Sequence, residues 1–215
     1  MIIGIDEAGR GPVIGPMVIS GVQIKEKDEK TLKDLEVKDS KLLSPKRREE
    51  LYTEIKKTAE NIKTITIDAK TIDDLRKTKT LNVIELEAFA DIINSLDAKT
   101  VFLDLPEHNS DFAERLKAKV NRKIDLTAEH KADERYPVVS AASIIAKVTR
   151  DKKITDIEKE AGEPIGSGYP SDPQTKMFLK THYKENKSFP AFVRHSWETV
   201  KRIKDEKKQS RLPGF

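Results

Sequence analysis

Two consecutive carboxylates, Asp6 and Glu7, stand at the end of an apolar run over residues 1–5, and a Gly9-Arg10-Gly11 turn follows at once. Acids at the end of a buried strand are costly unless a cation sits among them. An arginine between two glycines can bring its guanidinium and bare backbone N–H groups close to a phosphate or a sugar. Together these features point to a divalent-metal site beside a loop that reads nucleic acid. Asp104 ends the apolar stretch Val101-Phe102-Leu103, and Asp133 lies between a segment ending near Ala128 and a long helical pattern. Ligands of α/β sheets gather at the carboxyl ends of strands, so acids at three strand ends form a pattern with chemical meaning. Magnesium takes hard oxygen ligands, and two such ions about 3.5–4 Å apart would activate a water and stabilise the leaving oxygen of a phosphodiester. In a chain with 37 acidic residues, a single strand-end Asp is still more often a turn residue or a helix cap. Successive strand residues also face opposite ways, so Glu7 reaches the site of Asp6 only where the strand is ending. Spacing alone leaves the four-acid site open.

The elements that must carry these groups follow from periodicity. Residues 2–6 and 13–24 read as strands joined through the glycine turn. A helix starts at Ser44-Pro45, an N-cap followed by proline at the first helical position, with Leu51, Tyr52, Ile55 and Ala59 facing inward. Residues 62–67 read as a strand, 82–96 as a helix, 100–104 as a strand, 111–120 as a helix and 124–128 as a strand. That spacing fits parallel crossovers after an antiparallel N-terminal hairpin. The expected fold is therefore α/β, a mixed sheet flanked by helices. A long helix over residues 138–153 would bury Ala141, Ile144, Ile145 and Val148, its small residues allowing close approach to the sheet. Residues 165–173 form a Gly/Pro/Ser loop, followed by helices over 174–184 and 190–207. The second of these is expected to bury Val193, Trp197, Val200 and Ile203 and to turn Arg194, Lys201 and Lys208 outward.

Composition narrows the classes. The 215 residues are 36% hydrophobic and 36% charged, enough apolar material for a packed core in a chain more charged than the usual one-quarter or so. The net charge of +4 arises from 41 basic and 37 acidic residues, which excludes a simple polycation and leaves room for an acidic pocket within a basic face. The absence of cysteine excludes disulfides, thiol nucleophiles and thiolate zinc sites. No apolar stretch approaches the length of a membrane span and no signal-peptide pattern opens the chain; the expectation is a cytoplasmic monomer. Gly9-x-Gly11-x-x-x-Gly15 imitates a dinucleotide fingerprint, but Pro12 and Pro16 and a β-branched continuation replace the helix that such a motif needs. The phosphate-cradling GxxxxGK[ST] pattern is absent.

Four segments, IGIDEAGRGPVIGPMV (residues 3–18), VKDSKLLS (37–44), EHKADERYPVVSAASIIAK (129–147) and IGSGYPSDP (165–173), resemble in that order the type 2 ribonucleases H, the ribonuclease HII family, in its archaeal branch. The resemblance runs from Ile2 to about Arg202. It implies a ribonuclease H-like fold with a helical C-terminal appendage: a catalytic domain over residues 1–173, a helical part over 174–208 and a tail over 209–215. It implies an endonuclease that hydrolyses the RNA strand of RNA/DNA hybrids and cuts 5′ of single ribonucleotides in duplex DNA. Such activity uses Mg²⁺ or Mn²⁺, leaves 5′-phosphate and 3′-hydroxyl ends, and serves DNA replication and repair. The family's metal-binding acids match Asp6, Glu7, Asp104 and Asp133; its Gly-Arg-Gly loop matches Gly9, Arg10 and Gly11; its substrate-sensing tyrosine matches Tyr169. RNA is distinguished from DNA through the 2′-hydroxyl, both donor and acceptor. Gly9 and Gly11 let backbone groups approach it, and Tyr169 would stack beneath the next deoxyribose.

Lys41, Lys147 and Arg194 are candidates for phosphate contacts, which supply affinity rather than sequence choice. His130 beside Lys131 is expected to be a structural strand-end histidine, and His108, His182 and His195 show no zinc spacing. In the tail, Gln209, Leu212 and Phe215 resemble a sliding-clamp-binding motif, which docks an aliphatic and aromatic residues into a groove; this tail has one aromatic where the pattern usually has two. The competing readings are a nuclease of the same fold that ignores the ribonucleotide junction and a hybrid-binding module without catalysis. Tyr169 and the glycine turn argue against the first, the full set of acids against the second.

Overall fold

The computed structural model describes residues 1–37, 43–106 and 111–209, the last three by backbone alone. Lys41, His108, Leu212, Phe215 and the side chain of Gln209 lie outside the described residues. The strands are β1 (Ile2–Ala8), β2 (Met17–Ile24), β3 (Asn61–Ile67), β4 (Thr100–Asp104) and β5 (Asp125–Glu129). The helices are α1 (Glu29–Asp34), α2 (Pro45–Thr58), α3 (Ala69–Leu75), α4 (Leu81–Ser95), α5 (Phe112–Lys119), α6 (Ala132–Arg135), α7 (Pro137–Ala161), α8 (Pro173–Asn186) and α9 (Glu198–Gln209). None of the described helices is long and apolar enough to cross a membrane. The chain forms two compact units: one of residues 1–8, 18–66 and 80–149, the other of residues 9–17, 67–79 and Arg150 onward.

The first unit holds the five-stranded sheet, ordered β3-β2-β1-β4-β5. β1 runs antiparallel to β2 and parallel to β4, and β4 is parallel to β5, which is the mixed sheet read from the sequence. A central strand must be apolar on both faces, and Ile2, Ile3 and Ile5 are all buried. On one face, Ile2 packs with Val138, Ala141, Ile145 and Val148 of α7. Gly4 lies on that same face, where an added Cβ would sit 2.3 Å from the carbonyl carbon and oxygen of Val138. The contact there is backbone against backbone. On the other face, Gly21, paired with Ile5, lies under Ile92 of α4. α2 is capped as its sequence requires, the Ser44 hydroxyl accepting from the Arg47 N–H at 3.2 Å. Leu51 and Ile55 are buried, while Tyr52 and Ala59 are only half-buried against the same core.

The second unit has its own apolar cluster, drawn from Val13, Ile14, Ile154, Ile165, Phe178, Leu179, Phe189, Val193, Val200 and Ile203. Three expected elements differ here. The strand expected from Val13 begins at Met17, because Gly15 takes φ +86° and Pro16 offers no N–H. The Val13 and Ile14 N–H groups donate instead to the Gly168 carbonyl, at 2.8 and 3.2 Å. The long helix continues to Ala161 rather than ending at Lys153, because Ile154 and Ile157 extend its apolar face into this cluster. The helix expected over residues 190–207 begins only at Glu198. Residues 190–197 are turns and an isolated bridge, with the Arg194 N–H bonded to the Val13 carbonyl at 2.8 Å. Val193, Val200 and Ile203 are buried as the period suggests, but Arg194 is fully buried rather than turned outward.

Gly4→Ala should lower the unfolding free energy by about 3 kcal/mol, the upper range for overpacking, because the clash is with main chain that cannot rotate away. Urea denaturation reads this directly; an unchanged midpoint would mean that α7 can withdraw from the sheet freely.

Candidate active site

Asp6 sits where β1 loses one neighbour and keeps the other. Its pairing with β4 ends at Ile5–Leu103, while its pairing with β2 continues through Ala8–Val18. Asp6 is 5% exposed and follows Ile2 and Gly4 on the face covered by α7, where the Ser143 hydroxyl hydrogen-bonds to it. Glu7 donates its backbone N–H to Asp6 Oδ1 at 2.7 Å, and its side chain is half-buried.

Asp104 ends β4 and accepts the Ala132 N–H on Oδ1 at 2.8 Å. That bond fastens the turn after β5, where Lys131 adopts left-handed φ +58° ahead of α6. Asp133, 6% exposed, is the next residue of that short helix. Burial pushes the Asp6 carboxyl up to about 7; the negative charges of Asp104 and Asp133 push the same way, against the hydrogen bonds from Ser143 and the Glu7 N–H. The structure thus brings Asp6, Asp104 and Asp133 into one electrostatic environment. The donor chemistry fits a hard divalent cation: oxygen ligands only, and a carboxyl that retains a proton for want of positive charge. Among the described residues no group of three or more His, Asp or Glu side chains is gathered closely enough to hold a metal ion.

The glycine turn belongs to the second unit. Gly9 has φ +86°, and a Cβ there would meet the Pro16 carbonyl oxygen at 2.6 Å and Arg150 Nε at 2.9 Å, so only glycine fits. Gly11 is exposed, its missing Cβ 3.6 Å from Tyr169 Cε1. Tyr169 is 40% exposed, with the buried Arg150 guanidinium 5.5 Å from its ring centre. Arg150 also donates Nη2 to the Ser167 carbonyl at 3.0 Å. The loop carrying Tyr169 is held by Asp172, whose Oδ2 accepts from Ser167 N and Oγ at 2.6 and 2.7 Å. Those bonds hold the Asp172 carboxyl down to about 2.

Arg194 does not project to a phosphate-facing surface. Its Nε donates to the Gly15 carbonyl at 2.9 Å, Nη1 to Arg10 at 2.9 Å and Nη2 to Gly9 at 2.6 Å. Trp197 Nε1 donates to the Gly11 carbonyl at 3.1 Å. Sequence reasoning missed this internal role and those of Ser143, Arg150 and Trp197. The available signal was the apolar setting of Arg194, one cation within Phe192-Val193-Arg194-His195-Ser196-Trp197. Lys147 is half-buried on α7, and His130 is half-buried in the turn after β5.

A carboxyl raised in the folded state to about 7 from 3.8 makes the native protein bind a proton that the unfolded chain releases. This stability is complete below pH about 4 and is lost as pH rises to about 7. In metal-free protein the urea midpoint should therefore fall over that window, and Asp6→Asn should flatten the fall and exceed the unsubstituted chain at pH 8. Parallel profiles for the two proteins would show that Asp6 is ionised throughout.

The family description "Ribonuclease HII" matches residues 3–200 of this chain. A ribonuclease HII of Methanococcus maripaludis is 50% identical over 218 residues, spanning 99% of this chain and 90% of the relative. The crystal structure of ribonuclease H2 from Pyrococcus horikoshii superposes with a TM-score of 0.90 at 41% identity, covering 97% of this chain and 99% of that one. The ribonuclease HII in the PCNA:RNase HII complex from Archaeoglobus fulgidus gives 0.86 at 41% identity, over 94% and 96% of the two chains. The mixed sheet, the acids at its strand ends and matches of this extent agree: the chain belongs to the ribonuclease HII family, endoribonucleases of the ribonuclease H type.

Proposed function

We propose that this chain hydrolyses the RNA strand of RNA/DNA hybrids and also cuts 5′ of single ribonucleotides embedded in duplex DNA. The observation that carries the reading is the buried Asp6 carboxyl, raised by burial and by Asp104 and Asp133 at the ends of separate structural elements. Asp6, Asp104 and Asp133, joined by Glu7, are the residues that would hold Mg²⁺ or Mn²⁺. The chemistry such ions supply is activation of a water and stabilisation of the leaving oxygen of a phosphodiester. Water adds to phosphorus, the bond from phosphorus to the 3′-oxygen of the upstream nucleotide breaks, and that oxygen takes a proton. The products are a 3′-hydroxyl and a 5′-phosphate. Ser143 orients the Asp6 carboxyl, and Asp104, through the Ala132 N–H, fixes the turn that presents Asp133.

Selectivity for a ribonucleotide belongs to Gly9, Arg10 and Gly11, whose backbone can approach a 2′-hydroxyl, and to Tyr169, which stacks against the following deoxyribose. The exposure of Tyr169 and its place beside Gly11 favour this role over that of a core-edge aromatic. Lys147 contributes affinity for the phosphate backbone, as does Lys41. Arg194 is not part of that set, being fully buried.

The deciding measurement is cleavage of a labelled DNA duplex holding one ribonucleotide, with Mg²⁺, Mn²⁺ or EDTA, beside an all-DNA duplex and Asp6→Asn. A metal-dependent cut on the 5′ side of the ribonucleotide, absent from both controls, is expected. Cleavage of a long RNA/DNA hybrid without cleavage at the single ribonucleotide would discard the junction reading and keep the acids.

A sliding clamp is the proposed protein partner, docked by Gln209, Leu212 and Phe215. The Archaeoglobus fulgidus relative, described in complex with PCNA, supports this. Deleting residues 209–215 should abolish clamp binding in a pull-down or calorimetric titration while leaving cleavage of short duplexes intact; unchanged binding would place the contact elsewhere.

A further inference from the structure

We propose that Arg194 and Trp197 are positioning residues that set which way the peptide groups of the glycine loop face, and so which substrate atoms the loop can recognise. The proposal rests on the reading of that loop as substrate-facing. Arg194 is the largest of the fully buried side chains, and all three of its guanidinium nitrogens end on loop carbonyls, those of Gly15, Arg10 and Gly9. Trp197 adds the Gly11 carbonyl through its indole N–H. Consecutive carbonyls at positions 9, 10 and 11 are therefore all drawn to the side of the loop where residues 194 and 197 lie.

The peptide bond converts this into a statement about the opposite side. No peptide bond among the described residues is cis, and in a planar trans peptide the C=O and the following N–H point in opposite directions. Turning the Gly9 and Arg10 carbonyls toward the guanidinium turns the Arg10 and Gly11 N–H groups away from it. Pro12 follows Gly11 and carries no N–H. The Arg10 and Gly11 N–H groups thus face the side opposite the carbonyls that Arg194 and Trp197 take. Successive N–H groups facing one way suit an oxygen acceptor, as a sugar hydroxyl or a phosphate supplies. A lysine at 194 could not substitute: one ammonium group lacks the planar fork that reaches separate carbonyls at once.

The clasp is itself held. The Arg194 guanidinium lies 4.7 Å from the Trp197 ring centre, and Arg76, just beyond α3, lies 5.4 Å from the same ring. Asp73 of α3 accepts the His195 and Ser196 N–H groups at 2.6 and 2.9 Å, fixing the turn between the two clasp residues. The short helix thus acts on the loop through the turn at residues 194–197.

The test compares Trp197→Phe, which keeps an aromatic ring and removes one donor, with Arg194→Lys. Two readouts are taken on the full chain with Mg²⁺: hydrogen exchange of the residue 9–15 amides, and kcat and KM on the single-ribonucleotide duplex. In Trp197→Phe, loop exchange should rise roughly tenfold, the size of one lost hydrogen bond, with exchange elsewhere in the second unit unchanged. KM should rise by a similar factor, and Arg194→Lys should be affected more strongly in both respects. Unchanged loop exchange in Trp197→Phe, or acceleration spread evenly over the second unit, overturns the proposal. Should the unsubstituted protein fail to cleave the duplex, the functional reading falls, while loop exchange still decides whether the clasp exists.

Discussion

The burial of one carboxyl group is the constraint around which the first unit is organised. β1 is apolar on both faces because it has strand neighbours on both edges and helices above and below, and it brings Asp6 to the end of that dry corridor. A carboxylate there loses its water, so the surroundings must supply either a proton or a cation. Everything near it bears on that choice. Asp104 and Asp133 add negative charge, which favours the protonated form of Asp6, while Ser143 and the Glu7 N–H stabilise the ionised form. Positive charge brought among these carboxyls would relieve the same repulsion that favours the proton.

One arginine in each unit collects several carbonyls. Arg122 gathers the Ile93, Leu96 and Ala98 carbonyls around the end of α4, satisfying acceptors that the helix terminus leaves open. Arg194 does the same for a loop that has no regular structure of its own. In both places a planar cation with several N–H groups does what secondary structure cannot, binding acceptors that point in converging directions. The result in the second unit is an ordered loop built from glycines, which otherwise have the most conformational freedom to lose.

How much could be read from the sequence depended on whether a residue's role was local. The strand end at Asp104, the Ser44 cap and the helices with strong periodicity were legible because each is set by neighbours within a few positions, whereas β1 runs two residues past Asp6 to Ala8. Arg194 was not, because its partners lie some 180 residues away in the chain. A period of apolar residues correctly marked Val193, Val200 and Ile203 as buried, but it extended the helix through a turn stabilised by bonds to Asp73 and Val13. The start of β2 was misplaced for a related reason: Val13 and Ile14 have strand composition, yet their N–H groups are claimed by Gly168. Periodicity reports burial, and burial alone does not distinguish a strand or helix from a loop pinned on a core. The alternation rule bears on Glu7 as well, because β1 continues past it to Ala8 on its β2 side.

The meeting of Gly4 with the Val138 main chain bears on how such a protein can diverge. Where two elements touch through side chains, every substitution at the interface shifts their separation slightly, and the shifts accumulate. At Gly4 the spacing between β1 and α7 is set by atoms that all residues share. Asp6 lies two residues along the same strand and Ser143 five residues along α7 from Val138, so their hydrogen bond stands close to a contact that leaves no room for a side chain to intervene.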